Sequence, residues 1–148
     1  MISTETLRRY PFFTGASAES LQALAMVSEE RQYAAGERLF DDGQPADRMY
    51  IVVDGEVDIQ YELAGDEYRT VDTRVGGDLL VWSAIVHPYR TTAFGVARRP
   101  TRVITIESRK LRELCEQDRE LGYHLYREVA QVVSARLLGA RVQLATVA

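Results

Sequence analysis

The stretch from Gly55 to Leu63 reads G-E-V-D-I-Q-Y-E-L and alternates apolar with polar residues along its length. Its apolar members are Val57, Ile59, Tyr61 and Leu63. Successive side chains of a β-strand point to opposite faces, so this alternation predicts a strand with one buried and one solvated face. The stretch indicates β-structure, and the predictions for the neighbouring segments follow from it.

Glycines divide the surrounding sequence into short segments of the length that strands have. Weaker strands are predicted at Arg38–Phe40, Met49–Val53, Tyr68–Val75, Thr92–Ala97 and Arg102–Ile106. Ala64, Gly65 and Asp66 predict a hairpin turn between two of the strands. Several short antiparallel strands that leave no long open edge predict a closed sandwich or barrel.

Helical patterns flank the β region on both sides. Before it, apolar residues recur at helical spacing from Ser17 to Val27, with Ser17 as the N-cap. After it, Ser108 is expected to cap a first helix, and a long helix is predicted from about Arg119 to at least Leu144. The single predicted domain, 1–148, divides into N-terminal helices at 1–28, a β-barrel at 29–107 and C-terminal helices at 108–148.

Two apolar stripes run along the predicted long helix. A heptad pattern gives the successive a and d positions Tyr123, Tyr126, Ala130, Val133, Leu137, Ala140, Leu144 and Val147. The second stripe, which can lie on the barrel, is Leu121, Leu125, Val129 and Val132. An apolar seam left open would be an exposed patch, which favours a homodimer through this helix. The alternative is that both stripes belong to the intramolecular core.

Composition and missing motifs argue against several classes of function. The chain has 18 Lys and Arg against 22 Asp and Glu, a net charge of -4, which disfavours a nucleic-acid or membrane-surface role. A lone Cys115 excludes an intramolecular disulfide, and the lack of a long apolar N-terminal run predicts a cytoplasmic protein. His87 and His124 lack metal-ligand spacing, and no catalytic motif is present. Neither an enzyme nor a metal site is predicted.

The segment from Gly76 to Ala93, G-G-D-L-L-V-W-S-A-I-V-H-P-Y-R-T-T-A, is the best candidate for ligand contact. A glycine-containing turn can direct several backbone N–H groups into one concavity, and Arg90 can close on a phosphate or carboxylate with two hydrogen bonds. The alternative is that the glycines turn a corner, the apolar residues fill a core and Arg90 lies on the surface.

The assembled pattern resembles the cyclic nucleotide-binding domain family over nearly the whole chain. The most specific part of the resemblance is D-D-G-Q-P-A-D-R-M-Y-I-V-V-D-G-E-V, from Asp41 to Val57. The resemblance implies a mainly β fold with flanking α-helices: an eight-stranded, jelly-roll-like β-barrel (a double-stranded β-helix) with N-terminal helices and a long C-terminal helix. It also implies non-enzymatic sensing in regulation and signal transduction, with cyclic AMP, cyclic GMP or another anion as the ligand.

In that family a phosphate-binding cassette runs from a glycine-glutamate pair through a short helix to an arginine and small residues. Arg90–Ala93 match the arginine segment, and Ser83–Ile85 match the short helix. Val81 and Trp82 stand in place of the glycine-glutamate pair. An indole accepts no hydrogen bond, so Trp82 cannot receive the ribose hydroxyl and is expected to stack on a ring or plug the pocket. The implied ligand contacts are Val81, Trp82, Ser83, Ala84, Arg90, Thr91 and, from the terminal helix, Arg136.

Two hypotheses follow from the resemblance. The first is a homodimeric sensory domain that binds a small phosphate-containing or other anionic ligand at Arg90 and the Val81–Ala84 turn, and so shifts the terminal helix. The second is a degenerate barrel that has lost nucleotide binding and serves as a dimerisation or protein-interaction module. The family's transcription factors continue into a helix-turn-helix domain, whereas this chain stops at Ala148, so direct contact with DNA is not expected.

Overall fold

The computed structural model describes residues 1–147, which form four α-helices and eight β-strands. The helices are α1 (Thr4–Arg8), α2 (Ala18–Met26), α3 (Ser108–Gln117) and α4 (Arg119–Thr146), with short 3-10 helices at Pro11–Phe13 and Trp82–Ala84. The strands are β1 (Ser28–Tyr33), β2 (Arg38–Phe40), β3 (Arg48–Asp54), β4 (Glu56–Leu63), β5 (Glu67–Val75), β6 (Leu79–Leu80), β7 (Phe94–Ala97) and β8 (Thr101–Glu107). Ala148, the last residue of the predicted C-terminal part, lies outside the described residues.

The strands form two antiparallel sheets that face each other. Sheet A has the strand order β1-β8-β3-β6, and sheet B has the order β2-β7-β4-β5. The mainly β, jelly-roll-like fold with flanking helices is therefore confirmed, but the sheets do not close into a barrel. Where the chain crosses from sheet B to sheet A, only an isolated bridge forms between Pro45 and Arg90. The hydrogen bonds of this bridge flank Pro45: the N–H of Thr91 donates to the carbonyl of Gln44, and the N–H of Ala46 donates to the carbonyl of Tyr89, both at 2.8 Å.

Two buried clusters hold the layers together. The inter-sheet cluster lies between the two sheets and consists of Leu39, Tyr50, Val52, Val57, Leu80, Ala97 and Val103. The helix-side cluster packs sheet A against the helices and includes Leu7, Leu24, Ile51, Ile106, Leu111 and Leu125. Because side chains alternate along β3, Tyr50 and Val52 join the inter-sheet cluster, whereas Met49 and Ile51 join the helix-side cluster.

The alternating strand β4 is present, but only part of its apolar face is buried. Val57 is fully buried, Ile59 and Leu63 are half-buried, and Tyr61 is 43% exposed. The cause is the register: β4 pairs with β7 only from Val57 to Gln60, and beyond that its one neighbour is β5. The end of the hairpin therefore extends past the sandwich, and the expectation of one continuously buried face is wrong.

The predicted helix caps differ in outcome. Ser17 caps α2, since its side-chain oxygen accepts from the N–H of Ser20 at 3.1 Å. Ser108 does not cap α3: the cap position is Glu107, and the hydroxyl of Ser108 donates to the carbonyl of Ala46 at 2.6 Å. The hydroxyl of Ser108 therefore makes a tertiary hydrogen bond to Ala46 instead of capping α3.

The fully buried residues of helix α4 all lie in its first half. Leu121 and Leu125 are fully buried, Val129 is 3% exposed and Val132 is half-buried, so the second predicted stripe packs in the helix-side cluster. The predicted seam is exposed at every position except the half-buried Val133, so the alternative that both stripes are intramolecular core is wrong. Among the helices of residues 1–147, none has the length and apolarity needed to span a bilayer.

Candidate ligand-binding site

The segment 76–93 contains two non-glycine residues in the left-handed backbone region. Val81 has φ 60° and ψ 56°, and Tyr89 has φ 61°. A β-branched residue is poorly suited to this region, and the conformation costs roughly 1 to 2 kcal/mol. Val81 contacts both buried clusters, and this packing holds its strained turn in place.

Residues 89–91 run beside residues 43–46 and close the end of the sandwich. The N–H of Thr91 donates to the carbonyl of Gln44 at 2.8 Å. The hydroxyl of Thr91, in a residue only 7% exposed, donates to the carbonyl of Asp41 at 2.6 Å and accepts from the N–H of Gln44 at 2.9 Å. Thr91 therefore fixes the loop between β2 and β3.

Arg90 lies at the rim of the molecule. Its side chain is exposed, and one guanidinium nitrogen, Nη2, donates to the carbonyl of Gly43. Within the described residues no carboxylate lies within 4.0 Å of this guanidinium. A guanidinium carries five N–H donors, so the bond to Gly43 leaves others for an incoming anion.

The 3-10 helix Trp82–Ala84 faces the helix side of sheet A. Ser83 and Ala84 are 5% and 0% exposed, and Trp82 is half-buried against the helix-side cluster. The indole is not among the side chains packed on the inter-sheet cluster. Trp82 therefore does not plug the space between the sheets.

A cleft of about 270 Å³ opens beside the segment at the ends of β1, β2 and β3. Its lining includes Val81 and Thr91 together with Arg31, Leu39, Arg48 and Tyr50. Two of the predicted site residues thus reach one cleft, while Arg90 and Trp82 are absent from its lining. Small-molecule pockets begin at roughly 300 Å³, so the cleft suits a small ligand or part of a larger one.

Polar groups at the cleft are arranged around a carboxylate on β1. Arg31 Nη2 lies 2.7 Å from Glu29 Oε1, and Arg48 Nη1 lies 3.5 Å from the same oxygen. Burial raises the pKa of Tyr50 to about 12, so its phenol stays protonated and donates to the carbonyl of Leu39 at 3.2 Å. Sequence reasoning missed Arg31 and Arg48, because no local motif connects them with residues 76–93.

Side chains from α3 and α4 hold three carbonyl groups of the segment. The contacts are Arg112 Nη1 to Ala84 O (2.6 Å), Tyr126 Oη to Ile85 O (3.0 Å) and Arg136 Nη2 to Leu79 O. The guanidinium of Arg112 also lies over the ring of Tyr89, 4.2 Å from its centroid. Burial raises the pKa of Tyr126, which keeps its hydroxyl protonated as a donor. A movement of the segment would therefore be transmitted to α3 and α4.

Residues 30–118 match the family model described as the cyclic nucleotide-binding domain. This chain belongs to that family. A solved structure from Geobacter metallireducens, named as a cyclic nucleotide-binding protein, is 35% identical, with a TM-score of 0.81 over 93% of this chain and 99% of that one.

Two sequence relatives are longer proteins. A Rhodopseudomonas palustris protein named as a potassium channel is 25% identical over 92% of this chain, and a CRP-like cAMP-activated global transcriptional regulator of Mycobacterium tuberculosis is 26% identical over 86%. The chain spans 32% and 57% of the lengths of these relatives.

One departure from the cyclic nucleotide-binding pattern can be placed in the structure. Val81, which the resemblance predicts in place of the family's glycine, has a left-handed backbone, a conformation that glycine adopts without steric cost. Trp82, which the resemblance predicts in place of the glutamate, packs its side chain toward the helices. The turn therefore requires a glycine-like conformation but offers no carboxylate to a ligand.

Proposed function

We propose that this cyclic nucleotide-binding domain is a non-enzymatic sensor of a small anionic ligand, a cyclic nucleotide or another phosphate-bearing molecule. The ligand would bind beside Val81 and Thr91, with its negative group at Arg90. The observation that carries the proposal is the set of three hydrogen bonds from α3 and α4 to carbonyls of the segment. Because these bonds tie the segment to the helices, a ligand that prefers one position of the segment also selects one position of α4.

The chemistry of the segment supports phosphate more than ribose recognition. A guanidinium forms short, charge-assisted hydrogen bonds to a phosphate, and Arg90 has donors to offer. Trp82 provides no acceptor for a ribose hydroxyl, and an unpaired buried hydroxyl costs about 1 to 3 kcal/mol. This corresponds to a roughly tenfold to hundredfold loss of affinity. Ordinary cyclic AMP is therefore expected to bind more weakly than a ligand that is recognised only through its phosphate.

Isothermal titration with cyclic AMP, cyclic GMP and cyclic dinucleotides tests this function. We expect saturable heat with at least one of them and about tenfold or greater weakening in Arg90→Ala, because a charge-assisted contact is lost. Arg127→Ala is the matched control, since Arg127 is exposed on α4 and has no ion-pair partner in the described part of the chain. No heat with any ligand, or equal affinity in Arg90→Ala and the native protein, would contradict the proposal.

The proposal includes a homodimer formed through the second half of α4. Leu137 is 52% exposed, Leu144 is 75% exposed and Val147 is 80% exposed, and these residues follow the heptad spacing. An apolar stripe of this kind is self-complementary in a two-fold pair of helices. Direct nucleic-acid binding is not proposed, because the basic residues Arg98, Arg99 and Arg102 each lie within 4.0 Å of a carboxylate.

A second candidate function is a dimerisation module that binds no ligand. One observation favours it: Arg90 is exposed and already bonded to the carbonyl of Gly43. If the protein is such a module, the titrations above should give no heat and the protein should still form a dimer.

A further inference from the structure

A second arginine of the sensor, Arg136, occupies an unusual environment where α4 passes the end of sheet A. It is half-buried, and its Nη2 donates to the carbonyl of Leu79. Its Nε is buried and has no hydrogen-bond partner in residues 1–147. Burial lowers the pKa of Arg136, and among the neighbouring charges the positive Arg74 acts most strongly in the same direction. A buried guanidinium N–H without an acceptor is unfavourable, and an anion would satisfy it.

Arg74 reaches the same region from β5. It stands opposite Val57 in the β4–β5 ladder, so its side chain leaves sheet B on the face that turns toward sheet A. Its Nη2 lies 2.8 Å from Asp72 Oδ1, and its Nε lies 3.8 Å from Asp78 Oδ2. That oxygen of Asp78 also accepts from the N–H of Val75 at 2.8 Å. Both carboxylates therefore already have partners: Asp72 pairs with Arg74, and Asp78 pairs with Arg74 and accepts from the N–H of Val75.

Arg136 lacks such a partner. In the part of the chain that the structure describes, no carboxylate lies within 4.0 Å of its guanidinium, although Asp72 and Asp78 are close enough to influence its pKa. Arg74 Nε lies 3.8 Å from Asp78 Oδ2, and Arg136 Nη2 donates to the carbonyl of the next residue, Leu79, so the two guanidinium groups reach adjacent positions of the chain. One of them has an unused, buried donor. Such a pair is chemically suited to bind one phosphate or carboxylate between its members.

We propose that Arg74 and Arg136 form an anion subsite in which a phosphate or carboxylate group bridges the two guanidinium groups. The inference deepens the proposed function and rests on it, because Leu79, which Arg136 holds, lies two residues before the Val81 turn. A ligand that uses this subsite as well as Arg90 therefore carries two negative groups, one for each site. Since Arg136 belongs to α4, an anion at this subsite contacts the helix directly, without acting through the segment.

Nuclear magnetic resonance of the arginine Nε–Hε groups in the full chain tests the subsite, with inorganic phosphate as the probe at constant ionic strength. We expect the Arg74 and Arg136 signals to shift together and saturate at one concentration. Arg136→Gln should weaken phosphate binding at least tenfold as reported by the Arg74 signal. Arg74→Gln should do the same as reported by Arg136, which gives an independent measurement if one variant folds poorly. Arg141→Gln, an exposed arginine on the same helix, should change nothing.

The outcomes separate the subsite from the sensor function. Shifts that never saturate, that appear equally at Arg141, or that persist in Arg136→Gln would overturn the subsite. Cyclic-nucleotide binding that depends on Arg90, in a protein whose Arg74 and Arg136 signals do not respond to phosphate, would overturn the subsite and leave the sensor intact. Saturating phosphate binding at Arg136 without heat from any cyclic nucleotide would support the subsite and contradict the nucleotide ligand.

Discussion

The two halves of α4 form one continuous helix but have different environments. In the first half, Leu121, Leu125 and Val129 are buried against the helix-side cluster. From Ser134 to Thr146 every residue except Arg136 is exposed. The second half continues the packed helix, but its apolar side chains Leu137, Leu138 and Leu144 are each more than half exposed. One stripe of α4 thus belongs to the intramolecular core, whereas the other leaves an apolar surface exposed.

The largest expected difference between the halves is in stability. Leu125→Ala removes a fully buried side chain and should lower the free energy of unfolding by about 2 to 5 kcal/mol. Leu138→Ala is the matched control, because Leu138 is 64% exposed and its truncation should change the value by less than about 0.5 kcal/mol. Urea denaturation followed by circular dichroism measures both. Similar losses in the two variants would show that the halves are equally packed.

The next effect concerns association. Leu137→Glu places a charge in the proposed seam, and we expect the dimer dissociation constant to rise about tenfold to a hundredfold, since like charges would face each other across the pair. The unfolding midpoint of the monomer should stay unchanged, because Leu137 is 52% exposed in the single chain. Sedimentation equilibrium provides the measurement. A native protein that is monomeric at every concentration would remove the homodimer from the proposal.

The smallest expected effect is on the free energy of unfolding and concerns Asp118, the N-cap of α4. Its carboxylate accepts from the N–H groups of Leu121 and Ser17, both at 3.1 Å. Hydrogen bonds from the Ser20 side chain and from these backbone groups lower the pKa of Asp118 from 3.8 to about 2. Asp118→Ala should lower stability at neutral pH by about 1 kcal/mol, the usual worth of an N-cap.

The pH dependence of this effect follows from the direction of the pKa shift. Because the folded pKa is below the unfolded value, the stabilisation is complete above about pH 4 and is lost as the pH falls toward 2. The difference between native protein and Asp118→Ala should therefore shrink across that window. Asp118→Asn should keep the cap but lose the pH dependence. A constant difference from pH 7 to pH 2 would mean that the carboxylate charge does not stabilise the helix.

Elements with a strong local pattern could be predicted from the sequence. Helix α2, helix α4 and strand β4 have clear periodicities, and all three are present. Strand β1, S-E-E-R-Q-Y, was missed because Tyr33 is its only apolar residue. Pairing with β8 over six residue positions supports it instead. Strand β6 has only two residues, too few for any period to appear.

The candidate site could be predicted as a segment but not as an arrangement. Sequence reasoning assigned ligand contacts to residues 81–84, Arg90, Thr91 and Arg136. The structure directs Thr91 into the cleft, Arg90 to the rim and Trp82 toward the helices. It also adds Arg112 and Tyr126, which bind carbonyls 28 and 41 positions away in the chain. Contacts at such separations leave no local periodicity in the sequence.

By itself, the sequence determined the elements with a strong local periodicity, such as α2, α4 and β4, and which family the chain resembles, because those properties depend on neighbours a few residues apart. Tertiary structure alone decided that Thr91 closes the loop at Asp41, that Ser108 bonds Ala46 instead of capping α3, and that the sheets stay open. These contacts join residues 50 and 62 positions apart. Their partners are chosen by how the two sheets and the helices pack, which no local pattern encodes.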